Sequence, residues 1–377
     1  MNLLMLSGDA SVVEGHEGAF YQMLRRFASH WDRIDVICPR PAQTARTQVH
    51  GNVFFHPSPW PKALQPLFIL QRGRALLRER PYGLISSHDF GFFYNGIGAW
   101  LLTRWRDIPY VSEIHHVEGY PRAVTTRERL HRAAAMIYLR RVWRCAAAIR
   151  TVNRHEVPDL LRRLGVPEEK ILYLPALYLD YEVFRPMPGT PRRADVLFVG
   201  RLVANKGLFT LLDAIDRVRQ THPAVTLLIL GRGPLRQALE SRVEALGLRD
   251  NVTFVERVAH PQGVAELYNA AGMLVCASTT EGGPRVTVEA MACGTPVIST
   301  PVGVMPDLIE DGVNGLLFHW DAEVLAGHIR RLLDDPALRE RLSAAGREAV
   351  RGFDAETLIA RYAASYQELA RRSRERG

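Results

Sequence analysis

Short apolar runs alternate with longer amphipathic stretches from one end of the chain to the other. Residues 2–6 read as a strand, 19–30 as a helix, and 34–38 as a second strand closed by Pro39. A loop holding Gly8, Gly15 and Gly18 follows the first strand, so the chain opens on a Rossmann-like strand, glycine loop, helix and strand. Further strands are expected over 84–87, ending at His88-Asp89, over 109–113, ending at His115-His116, and over 171–175. Helical patterning covers 60–80 and 125–150, both rich in arginine. Beyond a proline-rich stretch at 185–191 a second series begins, with strands at 195–199, 225–230, 252–255, 273–276 and 296–299. The tail from 354 to about 372 carries Leu358, Tyr362, Tyr366 and Leu369 on one helical stripe. This alternation predicts an α/β protein built on parallel sheets. A length of 377 residues suggests about two domains.

The stretch 281–298, EGGPRVTVEAMACGTPVI, reads as a glycine turn, a short helix and a strand. Pro284 suits the first helical position, where its missing N–H would be unpaired in any case. Gly294, with Pro296 two residues on, marks the stop. Val286, Glu289, Ala290 and Cys293 recur at i, i+3, i+4 and i+7, one helix face that is apolar except for Glu289. A carboxylate on a buried face needs hydrogen-bond donors. The first turn adds free N–H groups and the positive end of the helix dipole. Glu281 at the loop mouth, the glycines beside those N–H groups, and Glu289 one turn in suit a polyhydroxylated anion such as a sugar nucleotide. Acidic caps and Gly-Gly-Pro turns are common singly; the whole string is what carries weight.

Composition narrows the class. With 47% hydrophobic and 23% charged residues the chain can bury sizeable cores. Its four cysteines, Cys38, Cys145, Cys276 and Cys293, are scattered through apolar runs, as expected of buried thiols in a reducing compartment. The N-terminus lacks the charged start of a signal peptide, and no apolar run reaches 18 residues. A cytoplasmic location without a transmembrane helix is therefore expected. The formal charge of +8 is uneven: residues 1–190 carry 25 Lys and Arg against 17 Asp and Glu, and the remainder 23 against 23. A basic half points to an anionic partner, and no nucleic-acid recognition motif accompanies it. The basic stretches 60–80 and 125–150, with Trp60, Phe68 and Trp143, suit either an anionic membrane surface or the solvated faces of packed helices.

The strand at 195–199 runs into Gly200-Arg201-Leu202, with Lys206-Gly207 opening the next helix. Two fixed cations at a helix N-terminus can clamp a diphosphate without a metal. The chain has no Asp-x-Asp triplet, and its histidines lack metal-helix spacing, so no metal site is expected. His88 and His115 close two expected parallel strands, where ligands of open sheets gather.

Glu-x7-Glu followed by Ala-Met-Ala-Cys-Gly-Thr-Pro-Val resembles the donor-site signature of the family 4 retaining glycosyltransferases (glycosyl transferases group 1). The resemblance spans nearly the whole chain and is strongest from 196 to 318. It implies the GT-B fold, two Rossmann-like parallel-sheet domains facing a cleft. The acceptor-side domain would cover 1–188 and the donor domain 189–353, with a last helix over 354–377 packing back on the first. It also implies that Arg201 and Lys206 bind the donor diphosphate, Glu289 the ribose, and Glu281 the sugar hydroxyls, with Gly282 and Gly283 letting N–H groups approach. The run Pro109-Tyr110-Val111-Ser112-Glu113-Ile114-His115 matches the family's Pro-x-Val-x-x-x-His, which puts His115 near the reacting carbon. The base would sit on the backbone around Arg257-Val258.

Two features depart from the pattern. The first glycine loop is longer, with Gly15 and Gly18 separated where the family has adjacent glycines, so their role and that of His88 toward diphosphate or acceptor rest on position alone. The family's Pro-Asn-Gly-Val-Asp is replaced by Pro175-Ala176-Leu177-Tyr178-Leu179-Asp180. The expected activity is metal-independent, retaining transfer of a sugar from a nucleoside diphosphate sugar, a substrate rather than a cofactor, to a hydroxyl acceptor. A lipid-linked or polysaccharide precursor fits the basic half, with peripheral attachment at the inner membrane face. Two alternatives stay open: an epimerase or hydrolase of the same fold, and a non-catalytic sugar-nucleotide binder.

Overall fold

The computed structural model describes residues 1–375, so the last two residues of the helix expected over 354–377 lie outside the described residues. The chain forms two compact units. Unit 1 comprises Met1–Glu118, Leu130–Ala176 and the chain from Glu356 onward; unit 2 comprises Gly119–Arg129 and Leu177–Ala355. The change of unit falls at 176/177, ahead of the 188/189 junction read from the prolines. Leu177, Leu179 and Phe184 explain this, because they pack into the unit 2 core.

Unit 1 holds β1 (Asn2–Leu6), β2 (Arg33–Cys38), β3 (Gln48–Val49), β4 (Val53–Pro57), β5 (Leu84–His88), β6 (Tyr110–Ile114), β7 (Ala148–Thr151) and β8 (Ile171–Tyr173). Their order is β3-β4-β2-β1-β5-β6-β7-β8, parallel except for the β3–β4 pair. The helices are α1 (Ala19–Phe27), α2 (Gln65–Glu79), α3 (Tyr94–Trp105), α4 (Thr126–Val142), of which the part from Leu130 onward belongs to this unit, and α5 (Glu156–Arg163). Central strand β1 is apolar on both faces, with Leu3, Leu4, Met5 and Leu6 fully buried, as helices on either side of a parallel sheet require. The helix expected over 125–150 stops at Val142. Ala148, Ile149, Arg150 and Thr151 are buried between β6 and β8 as a strand, pairing that overrides the local helical pattern.

Unit 2 holds β9 (Ala194–Val199), β10 (Leu227–Leu230), β11 (Val252–Val255), β12 (Ala271–Cys276), β13 (Val297–Ser299) and β14 (Leu316–Leu317), in the parallel order β11-β10-β9-β12-β13-β14. Its helices are α6 (Leu208–Arg219), α7 (Arg236–Ala245), α8 (Pro261–Asn269), α9 (Arg285–Cys293), α10 (Met305–Leu308), α11 (Ala322–Asp334) and α12 (Pro336–Ala349). The final helix, α13 (Ala355–Glu375), buries Tyr362 and Tyr366 in unit 1, Tyr362 stacking on Phe27 at 4.6 Å between centroids.

In each sheet the chain leaves a central strand on one side and returns on the other, between β1 and β5 in unit 1 and between β9 and β12 in unit 2. Loops splay apart at the carboxyl ends of such a pair and leave a crevice for a ligand.

Candidate functional site

At the unit 2 crevice the loop after β9 lies against the end of β12. Gly207 has φ +65°, and a Cβ there would come within 2.0 Å of the Ala277 carbonyl oxygen, so only glycine permits this approach. Thr279 N–H donates to the Asn205 carbonyl (2.8 Å), and Asn205 Nδ2 donates to that of Thr280 (3.1 Å). These bonds set Lys206 beside Glu281. Lys206 Nζ forms an ion pair with Glu281 Oε1, and Ser278 Oγ donates to the same oxygen at 2.9 Å. The paired side chains are 16% and 17% exposed, open enough for a ligand to reach. Gly303, with φ +58°, supports the loop from beneath: a Cβ would sit 2.3 Å from the Gly282 carbonyl oxygen.

Helix α9 starts directly after Gly282, Gly283 and Pro284, and ends at Gly294 with φ +83°. Pro284 caps it instead of occupying the first turn. The helix is buried on nearly every side, since Thr287 to Cys293 are all buried, so the apolar face read from its period is only part of its contact. Glu289 lies within it at 7% exposure. Tyr268 Oη donates to its Oε2 at 3.0 Å and Arg285 Nε to its Oε1 at 2.6 Å. Burial pushes the carboxyl above its usual range, with Arg285 and Tyr268 offsetting only part of the effect.

Arg201 is exposed and points to a neighbouring hollow. The carboxyl ends of β9, β10 and β11 border a shallow, open hollow of about 300 Å³, with Arg201, Arg232, Glu256, Arg257 and Val258 along it. Gly231, φ +155°, lets the β10 loop close on the β9 loop; a Cβ would be 1.8 Å from the Gly200 carbonyl oxygen. Three arginines around one hollow make it strongly attractive to an anion.

Unit 1 gathers a buried polar network at its own crevice. Glu113, fully buried on β6, accepts from Arg150 Nη1 (2.6 Å), Tyr362 Oη (2.8 Å) and Ser86 Oγ. His88 Nε2 lies 3.5 Å from one of its oxygens and His115 Nε2 3.4 Å from the other. Burial alone would raise the Glu113 carboxyl, but the His88 and Arg150 charges with these bonds hold it well below the usual range. His115 is held below the ordinary histidine range, first by the packing around its ring and then by Arg150, although 42% of its side chain meets solvent. Asp89 accepts from Ser112 (2.5 Å), Ser87 (2.6 Å) and Tyr138 (2.7 Å); burial raises it to about 6.

The model of the glycosyl transferases group 1 matches residues 182–349, and that of the glycosyl transferase 4-like domain matches residues 14–176. The chain belongs to the family 4 (group 1) glycosyltransferases. The alpha-D-kanosaminyltransferase of Streptomyces kanamyceticus is 28% identical over 286 residues, 72% of this chain and 73% of that one. The D-inositol 3-phosphate glycosyltransferase of Segniliparus rotundus is 34% identical over 289 residues, 71% of this chain and 62% of that one. Among solved structures, sucrose-phosphate synthase from Thermosynechococcus elongatus shares the fold with a TM-score of 0.82 at 23% identity, covering 98% of both chains. Anabaena HepE in complex with UDP and glucose shares it at 0.76 and 20% identity, covering 98% of this chain and 100% of that one. This glycosyltransferase has the GT-B fold, with its two parallel-sheet α/β domains.

Within the glycosyltransferase, Lys206, Glu281, Gly282 and Gly283 come together at the unit 2 crevice, with Arg201 beside it in the arginine-lined hollow. Glu289 is positioned by Arg285 and Tyr268. In unit 1, His88 and His115 share Glu113, ring centroids 6.0 Å apart. Gly15 (φ +94°) packs on Ala45 and takes a hydrogen bond from Arg46 on its carbonyl (2.7 Å); Gly18 caps α1. The glycine that lines a small cavity with His88 is instead Gly8, against whose backbone Phe90 packs.

Sequence reasoning passed over Glu113, Arg150 and Asp89. Charges inside apolar strand runs were their signal. One further expectation changes: Cys145 is exposed, unlike the other three cysteines. Of the aromatic residues in the basic stretches, Phe68 lies in the core with Trp60 edge-on to it at 5.7 Å. Arg74 and Arg78 lie over the Trp105 ring, at 5.5 and 5.4 Å.

Proposed function

We propose that the enzyme moves a sugar from a nucleoside diphosphate sugar to a hydroxyl of a lipid-linked acceptor, with retention of configuration and no metal, in envelope polysaccharide or glycolipid assembly at the inner membrane face. The observation that carries the donor half is the unit 2 crevice, where Lys206 pairs with Glu281 beside Gly282 and Gly283, and Arg201 lines the neighbouring hollow, where a base could sit. Lys206 is the cation that would change partners. Glu281 holds it in the structure; a diphosphate would offer stronger charge, releasing Glu281 to accept from sugar hydroxyls. Arg201 and Lys206 then neutralise the leaving diphosphate, the largest kind of electrostatic contribution to such a step. Glu289 takes the ribose, and His115, aligned by Glu113, takes the sugar near its reacting carbon. The HepE structures were obtained with UDP, with UDP and glucose, and with UDP-glucose, which makes uridine nucleotides the first donors to try.

The acceptor half rests on the excess of positive charge before residue 191. Among the described residues no helix is long and apolar enough to cross a membrane, so attachment would be peripheral. The test is a thermal-shift panel of nucleotide sugars, where a ligand at 100 Kd stabilises by about 2.7 kcal/mol, followed by transfer assays with lipid-linked and water-soluble acceptors and anomer analysis by NMR. Donor turnover that needs no acceptor, or an inverted anomeric product, would overturn the assignment.

A further inference from the structure

Large apolar side chains are unevenly exposed on this molecule. Phe92 (46%), Ile97 (38%), Trp100 (41%), Leu130 (60%) and Ile137 (56%) all lie on or just before α3 and on α4 of unit 1. These helices follow β5 and β6 in successive crossovers across one sheet, so they are neighbours on one face. Helix α3 packs closely on α2 but stands off from α4. The two meet through Tyr138, whose ring stacks on Phe93 at 4.4 Å between centroids. The remaining space is a groove of about 590 Å³, within the range of ligand cavities, about 300–1,000 Å³.

One stripe of each helix lines the groove. Phe93, just before α3, joins Ile97 and Trp100 of α3, and Ala134, Ile137 and Arg141 come from α4, Ile97/Trp100 and Ala134/Ile137/Arg141 at the spacing of residues sharing a helix face. The walls are almost wholly carbon, and exposed apolar side chains gathered around one hollow and rimmed by charge are the pattern of a binding face. Charge indicates what kind. Arg141 on α4 and Arg144 just beyond it line the groove, and Arg140 is also exposed on α4. The acidic residue of that helix, Glu128, is buried and turned to the helix start, accepting from the Val124 and Thr125 N–H groups.

We infer that the groove between α3 and α4 receives the hydrocarbon chain of an anionic amphiphile, with its phosphate head against Arg141 and Arg144. That this amphiphile is the acceptor's own lipid rests on the acceptor reading above. An apolar floor fits a chain, and the arginines select a charged head over a neutral one.

The groove contains its own reporter. Cys145 lines it and is exposed, whereas burial keeps Cys276 above the usual thiol range and pushes Cys38 and Cys293 to about 12. A maleimide dye on the whole chain should therefore modify Cys145 selectively. Dodecyl phosphate below its micelle concentration, at ten times its Kd, should slow labelling about tenfold. Inorganic phosphate should not slow it, and dodecyl glucoside should do so only at much higher concentration. Ile137→Asp, at an exposed position, should abolish protection, and Arg141→Glu with Arg144→Glu should erase the preference for phosphate. Unchanged labelling with dodecyl phosphate, or equal protection in Ile137→Asp, overturns the inference. So does protection by phosphatidylglycerol vesicles alone, which would mean that this face docks on a bilayer without admitting a chain. Transfer to a lipid-linked acceptor without protection of Cys145 would reject the groove and leave the acceptor reading standing. Protection in an enzyme that glycosylates only water-soluble acceptors would do the reverse.

Discussion

Glu289 is the residue on which a structural and a ligand-binding role most need separating. Its carboxylate is 7% exposed and both oxygens already have donors, Tyr268 Oη at 3.0 Å and Arg285 Nε at 2.6 Å. Each oxygen has a second lone pair, so ribose hydroxyls can be added without displacing either donor. On the proposed role, replacing Glu289 by Ala should remove charge-assisted bonds to the ribose worth roughly 1.5–3 kcal/mol. At about 1.4 kcal/mol per decade, UDP affinity should fall by roughly 10- to 150-fold. The same change strands the fully buried Tyr268 hydroxyl, which costs about 1–3 kcal/mol of stability. Two companion variants separate these effects. Glu289→Gln keeps the size and the Tyr268 bond but loses the charge, and should still weaken UDP strongly. Tyr268→Phe removes the internal bond alone, and should leave UDP affinity within about threefold of the parent while lowering stability by about 1 kcal/mol. Isothermal titration calorimetry with UDP at 25 °C, beside urea unfolding of each variant, reads both quantities. Parental UDP binding by Glu289→Ala and Glu289→Gln would refute the ribose role. Equal losses of affinity in Tyr268→Phe would show that Glu289 acts only by holding the fold.

Glu281→Ala should bind UDP at least as well as the parent, because Lys206 loses its internal competitor, yet lose most transfer activity; calorimetry and a coupled transfer assay compare the two. With the clamp made by Arg201 and Lys206, turnover should survive a strong chelator, and restoration of lost activity by Mn²⁺ or Mg²⁺ would count against it. Glu113→Gln should lower kcat while leaving UDP affinity at unit 2 intact. Since Glu113 raises His115 through its hydrogen bond and charge, the His115 limb of the pH–rate profile should also move to lower pH. Asp89 rises from 3.8 to about 6 on folding, so the folded chain binds more protons than the unfolded one between those values and its carboxylate costs stability as pH rises. The advantage of Asp89→Asn should therefore grow from pH 4 to pH 7, by on the order of 3 kcal/mol, and a flat difference in urea unfolding would contradict the burial argument.

The period of apolar residues was enough to announce two successive α/β series, because a parallel strand covered on both faces must be apolar throughout and a packed helix must repeat its contacts every turn. The glycine turn, the helix after it and its glycine stop at Gly294 were equally legible, since a turn and a helix end are set by residues close in sequence. Tertiary structure alone decided which distant groups meet. Lys206 reaches Glu281 across 75 positions only because β9 and β12 are neighbours in the sheet. Glu113 unites His88, His115, Arg150 and Tyr362 only because β5, β6 and β7 lie side by side with α13 against them. The strand at Ala148–Thr151 was hidden for the same reason: its arginine and the alanine run that ends at Ala148 favour a helix locally, and two flanking strands supply the hydrogen bonds that settle it otherwise. The groove of unit 1 could not be read either, because Ile97, Trp100 and Ile137 have the spacing of ordinary core residues. It is the gap left between α3 and α4 that exposes them.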